Sequence, residues 1–128
     1  MASTDLDTEG TTEVAAVAGK IRCFAAQWAL RANGGYLAQA CGTAEVLALL
    51  HTKVLELGPS LGTMVPPRFE GTPKSGNPGL RGEDWLGTGP DLLIISPAHY
   101  ATAHYATLAA TGRLDPAALA EHSTDGGV

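Results

Sequence analysis

From Glu13 to Asn33 the apolar residues Val14, Val17, Ile21, Phe24 and Trp28 recur at steps of three and four, which places them on one face of an amphipathic helix. Alanines fill much of the remainder, favouring helix and permitting close contact with neighbours. Asn33-Gly34-Gly35 supplies a stop signal. Tyr36 to Gly42 reads as irregular. Thr43 is then expected to cap a second helix running to about Leu57. Its apolar positions Val46, Leu47, Leu49, Leu50, Val54 and Leu55 cover more than half of the circumference. A helix that apolar is expected to be buried on more than one side. Gly58-Pro59 ends it.

Residues 58–90 change character. Six of the chain's eight prolines and eight of its sixteen glycines fall there, with no periodicity. A structureless stretch of this length is unusual inside a compact domain and points to a functional loop or one that wraps a partner. The bulky apolar anchors in it are Leu61, Met64, Val65, Phe69, Leu80, Trp85 and Leu86. The run Asp91-Leu92-Leu93-Ile94-Ile95-Ser96 follows, bounded by turn signals, and fits a buried parallel strand. Pro97 can open a helix over Ala98–Thr111 that stops at Gly112, and Asp115-Pro116 an N-capped last helix, Pro116 to about His122. The predicted order is therefore helix, helix, long loop, one strand, helix, helix. One strand cannot make a sheet, so the pattern predicts an α/β architecture, rich in helix, whose strand is completed by strands from elsewhere.

Composition narrows the classes. The chain is 45% apolar and 16% charged, a folded rather than a disordered balance, and so low a charged fraction suggests surface that other protein covers. With 8 basic against 13 acidic residues the net charge is −5, and the basic residues are scattered, which argues against a nucleic-acid surface. No apolar run approaches the roughly 20 residues of a bilayer span, and Met1–Thr12 lacks the pattern of a signal peptide. Cys23 and Cys41 lie in helical segments without metal-site spacing and read as reduced core thiols of a cytoplasmic protein.

Chemistry is sparse. In the repeat Ala98-His99-Tyr100-Ala101-Thr102 and Ala103-His104-Tyr105-Ala106-Thr107, five residues turn a helix about 140° past a full circle, so the two histidines do not share a face. His99 stands just after the expected strand, where open α/β sheets bind ligands, and an imidazole there can donate to a phosphate or move a proton. The alternative, a helix-start histidine bonded to nearby backbone, stays open. His104 reads as structural, and His51 as a packing or interface residue. Gly34-Gly35 either ends a helix or lets the backbone approach a ligand. Trp28 and Trp85 read as anchors. No Ser-His-Asp order, phosphate-cradling glycine loop or paired-carboxylate pattern stands out.

Taken together, Asn33-Gly34-Gly35-Tyr36-Leu37, the helix start Gly42-Thr43-Ala44-Glu45-Val46-Leu47, Asp84-Trp85, Ser96-Pro97-Ala98-His99-Tyr100, Thr111-Gly112-Arg113-Leu114 and Pro116-Ala117-Ala118-Leu119 follow, in order and spacing, the start of the diphosphate-binding domain of transketolases. The chain resembles that family over about residues 13–125, with residues 1–12 a disordered tail and 126–128 a second tail. The resemblance implies a partial thiamine-diphosphate-binding fold and carbon–carbon bond chemistry. It implies His99 as a catalytic and cofactor-binding residue, Tyr36 as a catalytic residue and Gly35 as cofactor-binding. Three departures matter. Tyr36 stands where the family has a histidine, and Pro97-Ala98 replaces a Lys/Asn-Gly pair before His99. The Gly-Asp-Gly…Asn motif that holds Mg²⁺ and the diphosphate is missing; Asp125-Gly126-Gly127 follows no strand and does not replace it. The chain itself offers no metal ligands. The resemblance therefore implies a subunit of a split enzyme, inactive alone. Its partners would carry the metal motif and the pyrimidine-binding domain, and its substrates would be a ketol donor and an aldehyde acceptor. Two alternatives stay open: a non-catalytic transketolase-derived subunit that stabilises or regulates a partner, and an unrelated small helical interaction protein.

Overall fold

The computed structural model describes residues 8–60, 64–65 and 89–121. Helix α1 spans Thr8–Ala32, α2 Leu37–Leu49, and one turn of π-helix, Leu50–Val54, extends α2. A 3₁₀ turn at Ala98–Tyr100 leads into α3, Ala101–Ala110, and α4 covers Pro116–Ala120. No strand occurs among the described residues, so the coarse expectation of a helix-rich chain holds.

Helices α1, α2 and α3 pack mutually, and α4 closes against α1 and α3. The predicted stripe on α1 is present, but its innermost line is Ala18, Ile21, Ala25 and Trp28, with Val14, Val17 and Phe24 half-buried beside it. Facing it are Ala40, Ala44, Leu47 and Ala48 of α2 and Ala103, Ala106 and Ala109 of α3. A core dominated by alanine brings backbones close, and leaves Ile21 and Thr107 as the largest fully buried side chains. Thr107 satisfies its hydroxyl by donating to the Ala103 carbonyl at 2.7 Å. Cys23 is exposed, not a core residue, because it lies about 200° round the helix from Ile21. Cys41 is half-buried, and both thiols are free.

Several boundaries differ from the sequence expectation. Helix α1 starts at Thr8, so Thr8–Thr12 belong to it and not to a tail. Helix α2 starts at Leu37, well ahead of Thr43, whose hydroxyl donates to the Gln39 carbonyl at 2.8 Å instead of capping. Gly42 therefore sits inside a helix; its cost of about 1 kcal/mol is outweighed by the packing of Ala40 and Ala44 on either side. Val46 and Val54 are 57% and 48% exposed, so α2 is buried on fewer sides than its composition predicts. The cross-link between α1 and α2 is polar as well: Arg22 donates to the Glu45 carboxylate at 2.5 Å and to the Cys41 carbonyl at 3.1 Å, and Lys53 pairs with Glu13.

Helix ends follow their expected chemistry. Asn33 takes the left-handed conformation (φ 52°), and the Gly34 amide donates to Ala29. Gly112 (φ 72°) does the same for α3, with the Arg113 amide donating to Leu108 at 2.8 Å. The Asp115 carboxylate caps α4 by accepting from the Ala117 amide at 2.7 Å. The predicted strand, Asp91–Ser96, is irregular chain here, since a strand is defined by a bonded neighbour and none is present among the described residues. Its entry is fixed: Gly89 donates to Leu57 at 3.0 Å, and Glu56 donates to the Asp91 carboxylate at 2.8 Å. A Cβ on Gly89 would overlap the Glu56 carbonyl, so glycine is required at this crossing. Leu61, Phe69, Leu80, Asp84, Trp85, Leu86 and both terminal tails beyond the helices lie outside the described residues.

Candidate functional site

The loop between α1 and α2 is three residues long, Gly34 to Tyr36 (after the αL Asn33), and it decides where Tyr36 goes. Gly35 has φ 123°, a backbone conformation that L side chains avoid, and a Cβ there would overlap the indole of Trp28. Trp28 is buried at 8% exposure, so the indole acts as a floor under the loop. Tyr36 then occupies the N-cap position of α2 without capping it through its side chain, and the residue is 54% exposed.

The second half of the site comes from the other end of the chain. Pro97 (φ −75°) precedes the 3₁₀ turn, which places His99 at the surface beside the start of α2. The Tyr36 and His99 rings lie 5.6 Å apart at an angle of 50°, and the Tyr100 ring stands 5.0 Å from that of His99. The three residues singled out from sequence, Gly35, Tyr36 and His99, are thus brought to one place. Around them the first-turn amides of Leu37, Ala38 and Gln39 and those of Ala98 and His99 have no acceptor among the described residues. A helix N-terminus with free amides and a positive dipole end favours an anion, and here the start of a 13-residue helix is joined by an imidazole and a phenol able to donate.

These donors fit one end of an anionic ligand. They do not fit a metal: among the described residues no group of three His, Cys, Asp or Glu side chains comes together. The site is also an open surface. A cleft of about 290 Å³ between α1 and α4, lined by Phe24, Trp28, Arg31, Pro116 and Leu119, uses the Trp28 indole but includes neither Tyr36 nor His99.

Sequence reasoning set aside two histidines that the fold brings near each other. His51, in the π turn, donates from Nδ1 to the Leu47 carbonyl at 2.9 Å. His104, half-buried on α3, has its Nδ1 fully buried with no hydrogen-bond partner. Burial pushes both imidazoles below the ordinary histidine value; the neighbouring His51 lowers His104 further, and Arg113 acts likewise on His51, partly opposed by the Leu47 bond. No sequence signal marks their proximity. No protein-family model matches the chain, and neither a curated relative nor a solved structure does.

Proposed function

We propose that this chain is one subunit of a split, transketolase-like enzyme that transfers a two-carbon ketol or related acyl unit from a ketol donor to an aldehyde acceptor. The observation that carries the reading is the meeting of Tyr36 with His99 over the Gly35 loop, two motif positions far apart in sequence. Thiamine diphosphate, when bound, supplies the carbanion chemistry that breaks and remakes the carbon–carbon bond. The chain's own residues bind and orient. The free amides at the start of α2 and the His99 imidazole would hold an anionic group, and His99 can move a proton at the same point. Tyr36 donates a hydrogen bond where the family's histidine also exchanges a proton, which points to a donor other than a standard sugar phosphate. Gly35 keeps the loop seated on Trp28.

Partner chains would supply the Gly-Asp-Gly metal motif for Mg²⁺ and the pyrimidine-binding domain, and strands that complete a parallel sheet with Leu92–Ser96. Among the described residues no helix is long and apolar enough to cross a membrane, and the reading places the enzyme in the cytoplasm. The second reading, a non-catalytic transketolase-derived subunit that stabilises or regulates a partner, is favoured by one feature: Tyr36 occupies a histidine position.

Affinity purification of the tagged chain from its host tests both. The split enzyme predicts that a chain bearing Gly-Asp-Gly and thiamine diphosphate co-elute, and that His99→Ala lowers the cofactor retained per complex at least about tenfold, read by mass spectrometry of the released cofactor. Tight binding of thiamine diphosphate and magnesium by the purified chain alone would refute the need for partners. Elution with a partner complete in itself, and equal cofactor with or without His99, would favour the second reading.

A further inference from the structure

His99 reaches the candidate site on a slight element. It is the middle residue of the three-residue 3₁₀ turn Ala98–Tyr100, which the Tyr100 amide closes by donating to the Pro97 carbonyl at 3.0 Å. The residue is exposed, and among the described residues its imidazole makes no hydrogen bond and no ion pair. An exposed side chain without polar partners spreads over several rotamers, and a donor that does so is poorly aimed. Two ring contacts oppose that freedom. The Tyr36 and Tyr100 centroids stand 5.6 Å and 5.0 Å from the imidazole, tilted by 50° and 41°, within the span of about 4.5–7 Å over which aromatic rings attract.

The two tyrosines are anchored differently. Tyr36 ends the α1–α2 loop and is more than half exposed. Tyr100 is half-buried, packs against the alanine-rich core, and stands at the N-cap of α3 with φ −93° and ψ 0°. Its hydroxyl makes no hydrogen bond among the described residues, so what Tyr100 offers His99 is the face and edge of a ring fixed by packing. We infer that Tyr100 is a positioning residue: its core-anchored ring sets the direction in which His99 presents its imidazole at the Tyr36 site. The second copy of the repeat supplies the contrast. Tyr105 also packs on the core, with its ring 6.0 Å from that of His104, but there the histidine is half-buried within α3 and its Nδ1 is enclosed. The same dipeptide serves two ends, and only its first copy puts the imidazole at the surface. The inference rests on the proposed reading for what His99 then holds, an anionic group; the orienting of the ring stands apart from it.

Nuclear magnetic resonance of the full chain tests both parts. The first arm reads His99 in the free chain, from its Hα–Hβ couplings and ring-proton shifts. Wild type and Tyr100→Phe should show one χ1 rotamer and the same ring-current displacement, because the hydroxyl is not needed. Tyr100→Leu should average over rotamers. Tyr105→Leu removes a comparable ring from the core, and should leave His99 as in wild type. The second arm titrates inorganic pyrophosphate, followed at the His99 ring protons. Affinity should fall about tenfold in Tyr100→Leu and stay within about twofold of wild type in Tyr100→Phe and Tyr105→Leu. An unaltered His99 rotamer in Tyr100→Leu would overturn the inference. So would equal averaging in Tyr105→Leu, which would reduce the effect to a general loss of packing, or wild-type pyrophosphate affinity in a Tyr100→Leu chain whose His99 is averaged. If Tyr100→Leu frees His99 as expected but wild type gives no response to pyrophosphate, the orienting role of Tyr100 holds and the anion-binding role given to His99 in the split enzyme is refuted.

Discussion

Replacing Gly35 by alanine tests whether the loop under Tyr36 is as tightly seated as it looks. Two costs combine. At φ 123° an L residue is strained by about 1–3 kcal/mol. The added Cβ also meets the buried Trp28 ring, and relief by moving either the indole or the loop costs about 1–3 kcal/mol. Together they amount to about 2–6 kcal/mol, a large part of the roughly 6–19 kcal/mol expected for a chain of this size. Gly112 is the comparator: its φ of 72° is also left-handed, but a Cβ there meets nothing within 4 Å. Gly112→Ala should therefore cost only the backbone part, about 1–2 kcal/mol. In thermal unfolding followed by far-ultraviolet circular dichroism, at about 4 °C per kcal/mol, Gly35→Ala is expected to melt at least about 8 °C below wild type and clearly below Gly112→Ala. Tryptophan fluorescence in a Trp85→Phe background should shift for Gly35→Ala and not for Gly112→Ala. Equal melting of the two variants, with Trp28 emission unmoved, would refute the close seating of the loop on the indole.

Further expectations concern the core, the histidines and the site. Ile21→Ala, at a fully buried position, should destabilise the chain by about 2–5 kcal/mol in urea unfolding. Because burial lowers His51 and His104 in the folded state, unfolding binds protons more readily; stability is full above about pH 6.5 and falls as the pH drops below it, by up to about 1.4 kcal/mol per pH unit for each histidine. Thermal midpoints measured from pH 7.5 to 5 check this, and His104→Gln should flatten the slope. On the proposed split-enzyme reading, Tyr36→His should change the preferred ketol donor of the complex, measured by donor screening, and an unchanged preference would remove support for the role given to Tyr36.

What sequence conveyed depended on which residues carry phase information. Val14, Val17, Ile21, Phe24 and Trp28 fix the buried face of α1 because large apolar side chains at helical spacing have one interpretation. The alanines that form the innermost contacts carry little: they signalled that close contact was permitted, but alanine suits exposed and buried positions alike, so which of them line the seams of α1, α2 and α3 was not readable. Gly42 misled for a related reason, since a helix breaker by local propensity is overruled by packing on both sides. The π turn at Leu50–Val54 left no trace, because apolar residues there suit an ordinary helix equally well. Leu92–Ser96 reads as a strand by its apolar run, yet among the described residues it has no bonded neighbour, which a local pattern cannot supply. At the site, resemblance picked out Gly35, Tyr36 and His99 singly. Their meeting depends on how α2 packs beside the 3₁₀ turn, which local pattern does not encode.

The crossing of Leu57 with Gly89 gives the chain an economy of a different kind. Because the Gly89 amide bonds the Leu57 carbonyl directly, the two ends of the connection are held together, and the entropy of closing it depends only weakly on its length. Each doubling of a loop costs only about 0.6 kcal/mol in closure entropy. Met64 marks one further attachment, its carbonyl accepting the Asp115 amide at 2.7 Å, and fixes how near to the neck any change can begin. The alanine seams, by contrast, admit almost no change in volume.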